Sequence, residues 1–419
     1  MKNAPGLVLC LIAVALAAQT RAEVTLAIKG ETVHTMSGPP IQNGVILVEN
    51  GKIVGIGENL PIPPGVQTLQ AKVVTPGLID AHTIVGLQGY QNEPRENDVL
   101  EKSAPIQPEL RAYDAFNGRE RLLEWIRGFG VTTIHTGPAP GILMPGQTMI
   151  IKTAGPTADD GLLRREAMVC VTLGEGGVNR GDADKPKSPG TRSKQIAMLR
   201  AEFIKAAEYD RKRTAKPPAD ADPSDEKSDK PRDRDLRLEA LVRVLKKEQP
   251  LLVTAHRAQD ILSALKRARE FDVNIVLDGA AEAHLMAEQI KAAAVPVIIH
   301  PALQRAGGEL ENMSFETAAR LHAAGIPIAM QSGYESYVPK TRVVLLEAAI
   351  NVANGLKPAD ALAAMTIESA KILGIADRVG SIEAGKDADL ALYDGDPFEY
   401  TTHCVGTVID GRLVSSEAR

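Results

Sequence analysis

Residues 73–87 read "VVTPGLIDAHTIVGL": an apolar run, a Pro-Gly break, a second apolar run, and then Asp80-Ala81-His82-Thr83-Ile84. A short apolar run bounded by turn residues has the pattern of a buried strand. Side chains two apart on a strand share a face. A strand that binds metal through a histidine pair would carry the second histidine at position 84, where Ile84 stands. The stretch therefore raises two questions: which fold surrounds this strand, and whether His82 belongs to a metal centre.

Working back from it, residues 23–74 alternate short apolar runs with "KGE", "SGPP", "NG" and "NGK", the punctuation of β-hairpins. The far end repeats the style in "GSIEAGKDADLALYDGDPF" and "VGTVIDGRLV". Segments 23–74 and 376–419 are expected to pair into one small composite β-sandwich. Working forward, residues 75–375 change character. "PLLVTAH", "VNIVLDG", "VPVIIHPA" and "IPIAMQSG" are each followed by a helical pattern. Repeated strand–helix units predict a parallel sheet. With "LIDAHT", "VTTIHTG", "TMIIKTAG" and "AMVCVTLG", the strands number about eight, so the fold class is α/β: a (β/α)8 TIM-like barrel plus the sandwich. One helix is predicted across "YDAFNGRERLLEWIRGFG".

Composition agrees. The chain has 419 residues, 3% of them aromatic, and branched aliphatics suit a core of parallel strands. A net charge of −5 with 24% charged residues offers no surface for nucleic acid. Residues 1–22 read as a signal peptide: Lys2, the apolar run "GLVLCLIAVALAA", then Thr20 and Ala22 as small residues before a cleavage point. The run is too short to span a bilayer. A periplasmic or secreted protein with no stable membrane span follows as the expectation. Cys170 and Cys404 then remain, too few for a disulfide scaffold. Residues 216–235, "KPPADADPSDEKSDKPRDRD", are charged and almost free of apolar groups, as in a solvated loop.

In a barrel, chemistry sits at the C-terminal ends of the strands. Those ends carry His82, His135, Lys152, His256, Asp278 and His300, with Glu175 just past the fourth strand and Gln331, Ser332 and Gly333 at the eighth. His82, His135, His256, Asp278 and His300 are donor types that suit zinc. Asp278, Glu175 and Lys152 are the candidate bases. Each has a plainer reading. His135 and His300 precede loops and could simply hydrogen-bond them. Lys152 could snorkel outward from a core edge, and Glu175 could be a turn carboxylate.

The hairpins, "TPGLIDAH", "GVTT" and "ALAAMTIESAKILGIADRVGSIEAGKDADLALYDGDP" together resemble the amidohydrolase superfamily. "MPGQTMIIKTAG" and "VTAHRAQDI" look most like its secreted imidazolonepropionase-like members. The resemblance implies the same barrel and sandwich, and metal-assisted hydrolysis of C–N bonds in amides, cyclic amides, ureas or dipeptides. It also implies ligand positions: a His-x-His at 82 and 84, a lysine near Val169, a His-Ala-His at 254–256, a histidine at 278, and an aspartate on or beside Gly333 that takes the proton of the attacking water. This chain has Ile84, Val169, Thr254, Asp278 and Gly333 there. Zinc or another divalent metal is the implied cofactor, and these replacements argue against an ordinary centre.

Three readings stand on the sequence. The first is a hydrolase of non-peptide C–N bonds in a small molecule, with a reduced metal site. The second is a pseudoenzyme that binds a small molecule or serves a structural role on a kept scaffold. The third is metal-free chemistry with Glu175, Lys152 or Asp278 as base. Whether the chain forms a homo-oligomer is open.

Overall fold

The computed structural model describes residues 24–91, 93–182, 184–214, 233–335 and 343–419. Residues 1–22, expected as a leader, and residues 216–232 of the charged segment lie outside the described residues. Asp235, at the segment's end, caps the helix Leu236–Leu245 by accepting the Leu238 N–H. Among the described residues no helix is long and apolar enough to cross a membrane.

Both chain ends build one sheet. The strands β1 (Leu26–Val33), β2 (Ile41–Glu49), β3 (Lys52–Glu58) and β4 (Gln67–Pro76) come from the N-terminal side. The others, β17 (Leu390–Tyr393), β18 (Cys404–Ile409) and β19 (Arg412–Ser415), come from the C-terminal side. Their order is β19-β18-β17-β4-β1-β2-β3, a single seven-stranded sheet where two layers were expected. The sheet curls: Ile53 donates to the Lys386 carbonyl at 3.0 Å and Ala388 to that of Gly51 at 2.8 Å. The curl wraps Ile28, Ile46, Val74, Ile382, Leu390 and Val408 in one apolar core.

The remaining strands form a TIM-barrel-like α/β unit. One sheet of four holds β5 (Leu78–Thr83), β6 (Val131–Thr136), β8 (Met149–Lys152) and β9 (Leu162–Arg164). One of six runs β16-β15-β14-β13-β10-β7, built from β7 (Gly146–Gln147), β10 (Val169–Thr172), β13 (Leu251–Thr254), β14 (Ile275–Gly279), β15 (Val297–Ile299) and β16 (Ile328–Ala329). A separate pair, β11 (Gly181–Asp182) and β12 (Lys185–Pro186), lies apart. The regular ladders do not close into a single barrel. Backbone hydrogen bonds bridge both seams instead: Ala81 to Met330 at 3.0 Å and Gly333 to His82 at 3.1 Å on one side, Thr148 to Met168 at 2.9 Å on the other.

The strand–helix alternation is as expected from β13 onward. The apolar side of "AQDILSALKRAREF" covers the sheet with Ile261 and Ala264 buried. One helix differs. The stretch expected as a single helix splits into Ala112–Ala115 and Arg121–Arg127. The break falls at Asn117-Gly118, where the chain presses on the Pro156 backbone: a Cβ on Gly118 would lie 2.7 Å from it.

Candidate functional site

Asp278, at the end of β14, is the hub of the strand ends. Its carboxylate accepts three hydrogen bonds: from His82 Nδ1 at 3.0 Å, Thr254 Oγ1 at 2.6 Å and Gln331 Nε2 at 2.9 Å. Gln331 also donates to the Ile299 carbonyl at 3.0 Å. Period-two alternation explains the convergence, since His82, Thr254 and Asp278 are inward residues near the ends of neighbouring strands. Asp278 is 0% and His82 1% exposed.

Burial and pairing oppose each other here. Burial alone would push the Asp278 carboxyl up, but His82, Thr254 and Gln331 outweigh it and hold it below its usual value. Burial alone would pull the His82 imidazole down, but the Asp278 carboxylate, aided by Asp80, carries it above its usual value. The pair therefore favours imidazolium against carboxylate. Asp80, in the same strand, accepts the Ser332 N–H at 2.9 Å and the Ser332 hydroxyl. Burial pushes the Asp80 carboxyl up to about 6. This clasp fixes the turn that presents Gln331 on one side and Gly333 on the other.

The other histidines lie round the hub in different states. The His135 and His82 rings sit 5.9 Å apart. His135 bonds the Ala81 carbonyl through Nδ1 and Thr148 Oγ1 through Nε2, both at 2.6 Å. Burial, then the neighbouring charge on His82, lowers it to about 3. His300 likewise uses both nitrogens, on the Pro301 carbonyl and Thr317 Oγ1. His256 meets the Tyr334 hydroxyl through Nε2 at 3.1 Å, and burial lowers it to about 4. Its ring lies over Gly279, where a Cβ would come within 2.5 Å of it. The Tyr334 ring also lies 5.7 Å from that of His82.

Among the described residues, three buried polar atoms of this cluster have no partner: His82 Nε2, His256 Nδ1 and Gln331 Oε1. Buried polar groups are normally satisfied, so these are the atoms on which a ligand would act.

The resemblance implied a divalent metal, which amidohydrolases usually hold. A catalytic zinc asks for about three protein ligands plus an open position. Both oxygens of Asp278 already accept donors, and both nitrogens of His135 and of His300 are engaged. At most two ring lone pairs remain, on His82 Nε2 and His256 Nδ1. Among the described residues no three His, Cys, Asp or Glu side chains come together as a metal cage. The residues present do not fit the three-ligand centre.

Two candidate bases lie elsewhere. Lys152 points away from the strand-end cluster into the junction with the curled sheet. There it meets Asp387 at 2.8 Å, Asp389 at 2.9 Å and Asp410 at 2.6 Å. Glu175 is on the surface of the mouth, paired with Arg180 at 2.7 Å and Arg192 at 3.4 Å. Those arginines hold its carboxyl below the usual range. The position implied for the family's aspartate is filled otherwise. Gly333 has φ +85°, and a Cβ there would lie 2.6 Å from Pro301, whereas Gln331 is the residue whose side chain reaches the hub. Sequence reasoning passed over Thr254 and Gln331 as site residues and did not name Tyr334. The signals available were the period-two match of Thr254 with His256 and the place of Gln331 at the end of the eighth strand.

This arrangement is that of a TIM-barrel-like protein with its polar cluster at the strand ends. Residues 254–414 match the model of the Amidohydrolase family. The chain is 26% identical over 405 residues to amidohydrolase tasK of Hapsidospora irregularis, covering 88% of this chain and 39% of that protein. It is 41% identical over 90 residues to an imidazolonepropionase of Aromatoleum aromaticum, 20% of this chain and 21% of that one. The match to tasK thus spans about two fifths of its length. Among solved structures, an amidohydrolase from Thermotoga maritima MSB8 is 29% identical with a TM-score of 0.85, covering 94% of this chain and 100% of that one. A Xaa-Pro dipeptidase with bound methionine, at 15% identity and TM-score 0.55 over 93% of this chain and 99% of that one, shares the fold. These likenesses make residues 254–414 similar to the Amidohydrolase family and the whole described fold similar to that of the amidohydrolase from Thermotoga maritima.

Proposed function

We propose that this protein is a hydrolase of a non-peptide C–N bond in a small amide, cyclic amide or dipeptide-like molecule, with His82 and Gln331 as the groups that engage the bond. One observation carries the reading. His82 and Gln331 both hang from Oδ1 of Asp278, and each keeps one buried polar atom unused. Gln331 must spend its N–H on the carboxylate, so its free atom is an acceptor. His82, raised by Asp278, offers a free Nε2–H donor. A donor and an acceptor side by side complement the C=O and N–H of an amide. The Nε2–H would hydrogen-bond the carbonyl oxygen and polarise the bond, while Gln331 Oε1 accepts the N–H. In the same reading, residues 1–22 direct the mature chain to the periplasm or outside the cell.

A second reading, a binding protein without catalysis, is favoured by a different observation: Asp278, His135 and His300 are fully committed to internal bonds. The test is release of amine or carboxylate from a panel of small amides, cyclic amides and dipeptides, with and without chelator. The hydrolase reading expects turnover that His82→Ala abolishes. Binding of a panel member without turnover would turn the assignment to the second reading.

A further inference from the structure

The centre is closed. His82, Asp278 and Gln331 are at most 1% exposed, so no reactant reaches the unused atoms unless a covering element moves. The segment from Pro301 to Met313 lies beside it, against Gly333 and Tyr334. Its near end lies on the centre: Gln304 bonds the Tyr334 hydroxyl, Tyr334 meets His256, and Pro301 packs on Gly333. Its far end is held by arginines from two other elements and by Asn312, which donates to Glu282 at 2.8 Å. Arg192 donates to Glu309 at 2.8 Å while gripping Asp260 at 2.8 Å. Arg257, the residue after His256, donates to the Gly308 carbonyl at 3.1 Å and to Glu311 at 3.0 Å. Glu309 also accepts the Glu175 N–H at 2.8 Å, which ties the segment across the mouth to the loop after β10.

These fastenings suit release. Arg257 and Glu311 are 37% and 55% exposed, an ion pair of the weak kind that salt screens. Arg192 is 35% and Glu309 11% exposed, so that pair is partly sheltered and is tested by the variant more than by salt. Gly307 and Gly308 sit between the two ends, and a Cβ built on either meets nothing within 4 Å. We infer that residues 301–313 form a strap that opens to admit ligand to the His82–Asp278 centre, latched shut by Glu309 and Glu311 on Arg192 and Arg257. The inference does not depend on the hydrolase reading, since a binding protein with this buried centre needs the same entrance.

The test combines hydrogen exchange and histidine labelling on the full chain. The wild type is measured at low salt and at about 0.5 M NaCl, where the screening length is only a few ångströms. It is compared with the Glu309→Gln/Glu311→Gln variant at low salt. Exchange across 301–313 should rise about tenfold in both cases, with β14 unchanged, as for local opening below the global unfolding free energy. Labelling of His256 by diethyl pyrocarbonate, read by mass spectrometry, should rise in step. Exchange unmoved by salt and by the variant overturns the latch. A loosened strap with no gain in His256 labelling overturns its role as the entrance. If the variant does not fold, the salt comparison on the wild type decides alone.

Discussion

His82 Nδ1 and Asp278 Oδ1 lie 3.0 Å apart across 196 residues of sequence, both side chains buried, and every other group of the centre is arranged around that contact. A buried pair of this kind is weak evidence of net stabilisation, but breaking it leaves an uncompensated charge. Asp278→Ala is therefore expected to destabilise the fold by about 3–5 kcal/mol, measured by urea unfolding. A loss below about 1 kcal/mol would show that the pair is solvated rather than sealed.

The pair also fixes a pH signature. His82 is raised in the folded chain, so its contribution is fully present below its ordinary value of 6.5 and is lost as pH rises through the folded value. Asp278 is lowered, so its contribution is present above 3.8 and is lost as pH falls through its folded value. The two overlap between pH 3.8 and 6.5. The melting temperature of wild type minus that of His82→Asn should therefore be largest there and shrink on the alkaline side. A difference that grows above pH 7 would contradict the ion pair.

Asp80 works in the opposite sense. Its carboxyl is raised to about 6 from 3.8, because burial outweighs the Ser332 bonds. A raised acid binds its proton more tightly folded than unfolded, so stability falls as pH climbs from about 4 to about 6. The shift corresponds to about 3 kcal/mol. Asp80→Asn should flatten stability across that window while keeping a bond to the Ser332 N–H. An unchanged pH slope in the variant would remove Asp80 as its source.

Much of this architecture could be read from the sequence, for physical reasons. Strands such as "LIDAHT" and "PLLVTAH" are short apolar runs with clear breaks, and the barrel places their last residues together. That is enough to gather His82, His256 and Asp278. It does not reveal how each side chain spends its hydrogen bonds. Asp278 stands where the family pattern has a histidine, and sequence alone could not say that Thr254 and Gln331 bond it. Lys152 was ambiguous because its partners, Asp387, Asp389 and Asp410, lie more than 230 residues away in the other unit. The curled sheet was half legible: hairpins advertise themselves through "NG" turns, but which sheets they join is decided by long-range pairing.

Lys152 yields a prediction that separates structure from catalysis. It is 2% exposed and bonded to three aspartates at the seam between the barrel-like unit and the curled sheet. Lys152→Met should cost about 3–5 kcal/mol by leaving the buried Asp389 carboxylate without its cation, while Asp387 keeps Lys52 and Arg378. What remains folded should bind ligand as the wild type does. A stable variant that lost ligand binding would return Lys152 to the site.

The eighth-strand position gives the sharpest test of why the metal pattern is absent. If the site had merely lost its carboxylate at 333, Gly333→Asp would restore it. The backbone there has φ +85°, which L side chains rarely adopt, and the new Cβ would meet Pro301 at 2.6 Å. The variant should lose about 1–3 kcal/mol, the usual cost of a side chain forced into such a conformation. It should gain no zinc, because the side chain at 333 starts against Pro301 and not toward the free nitrogens of His82 and His256. Placing donors where side chains already point inward is a different matter. Thr254→His with Gln331→Asp replaces two residues that now bond Asp278. It adds an imidazole and a carboxylate to the free nitrogens of His82 and His256, four donors where a catalytic zinc needs about three. Metal analysis after dialysis should find on the order of one equivalent of zinc in that double variant and below about a tenth in the wild type and in Gly333→Asp. Stoichiometric zinc in the wild type would mean that Asp278 gives up its internal bonds for the metal, and the centre would have to be redrawn around it.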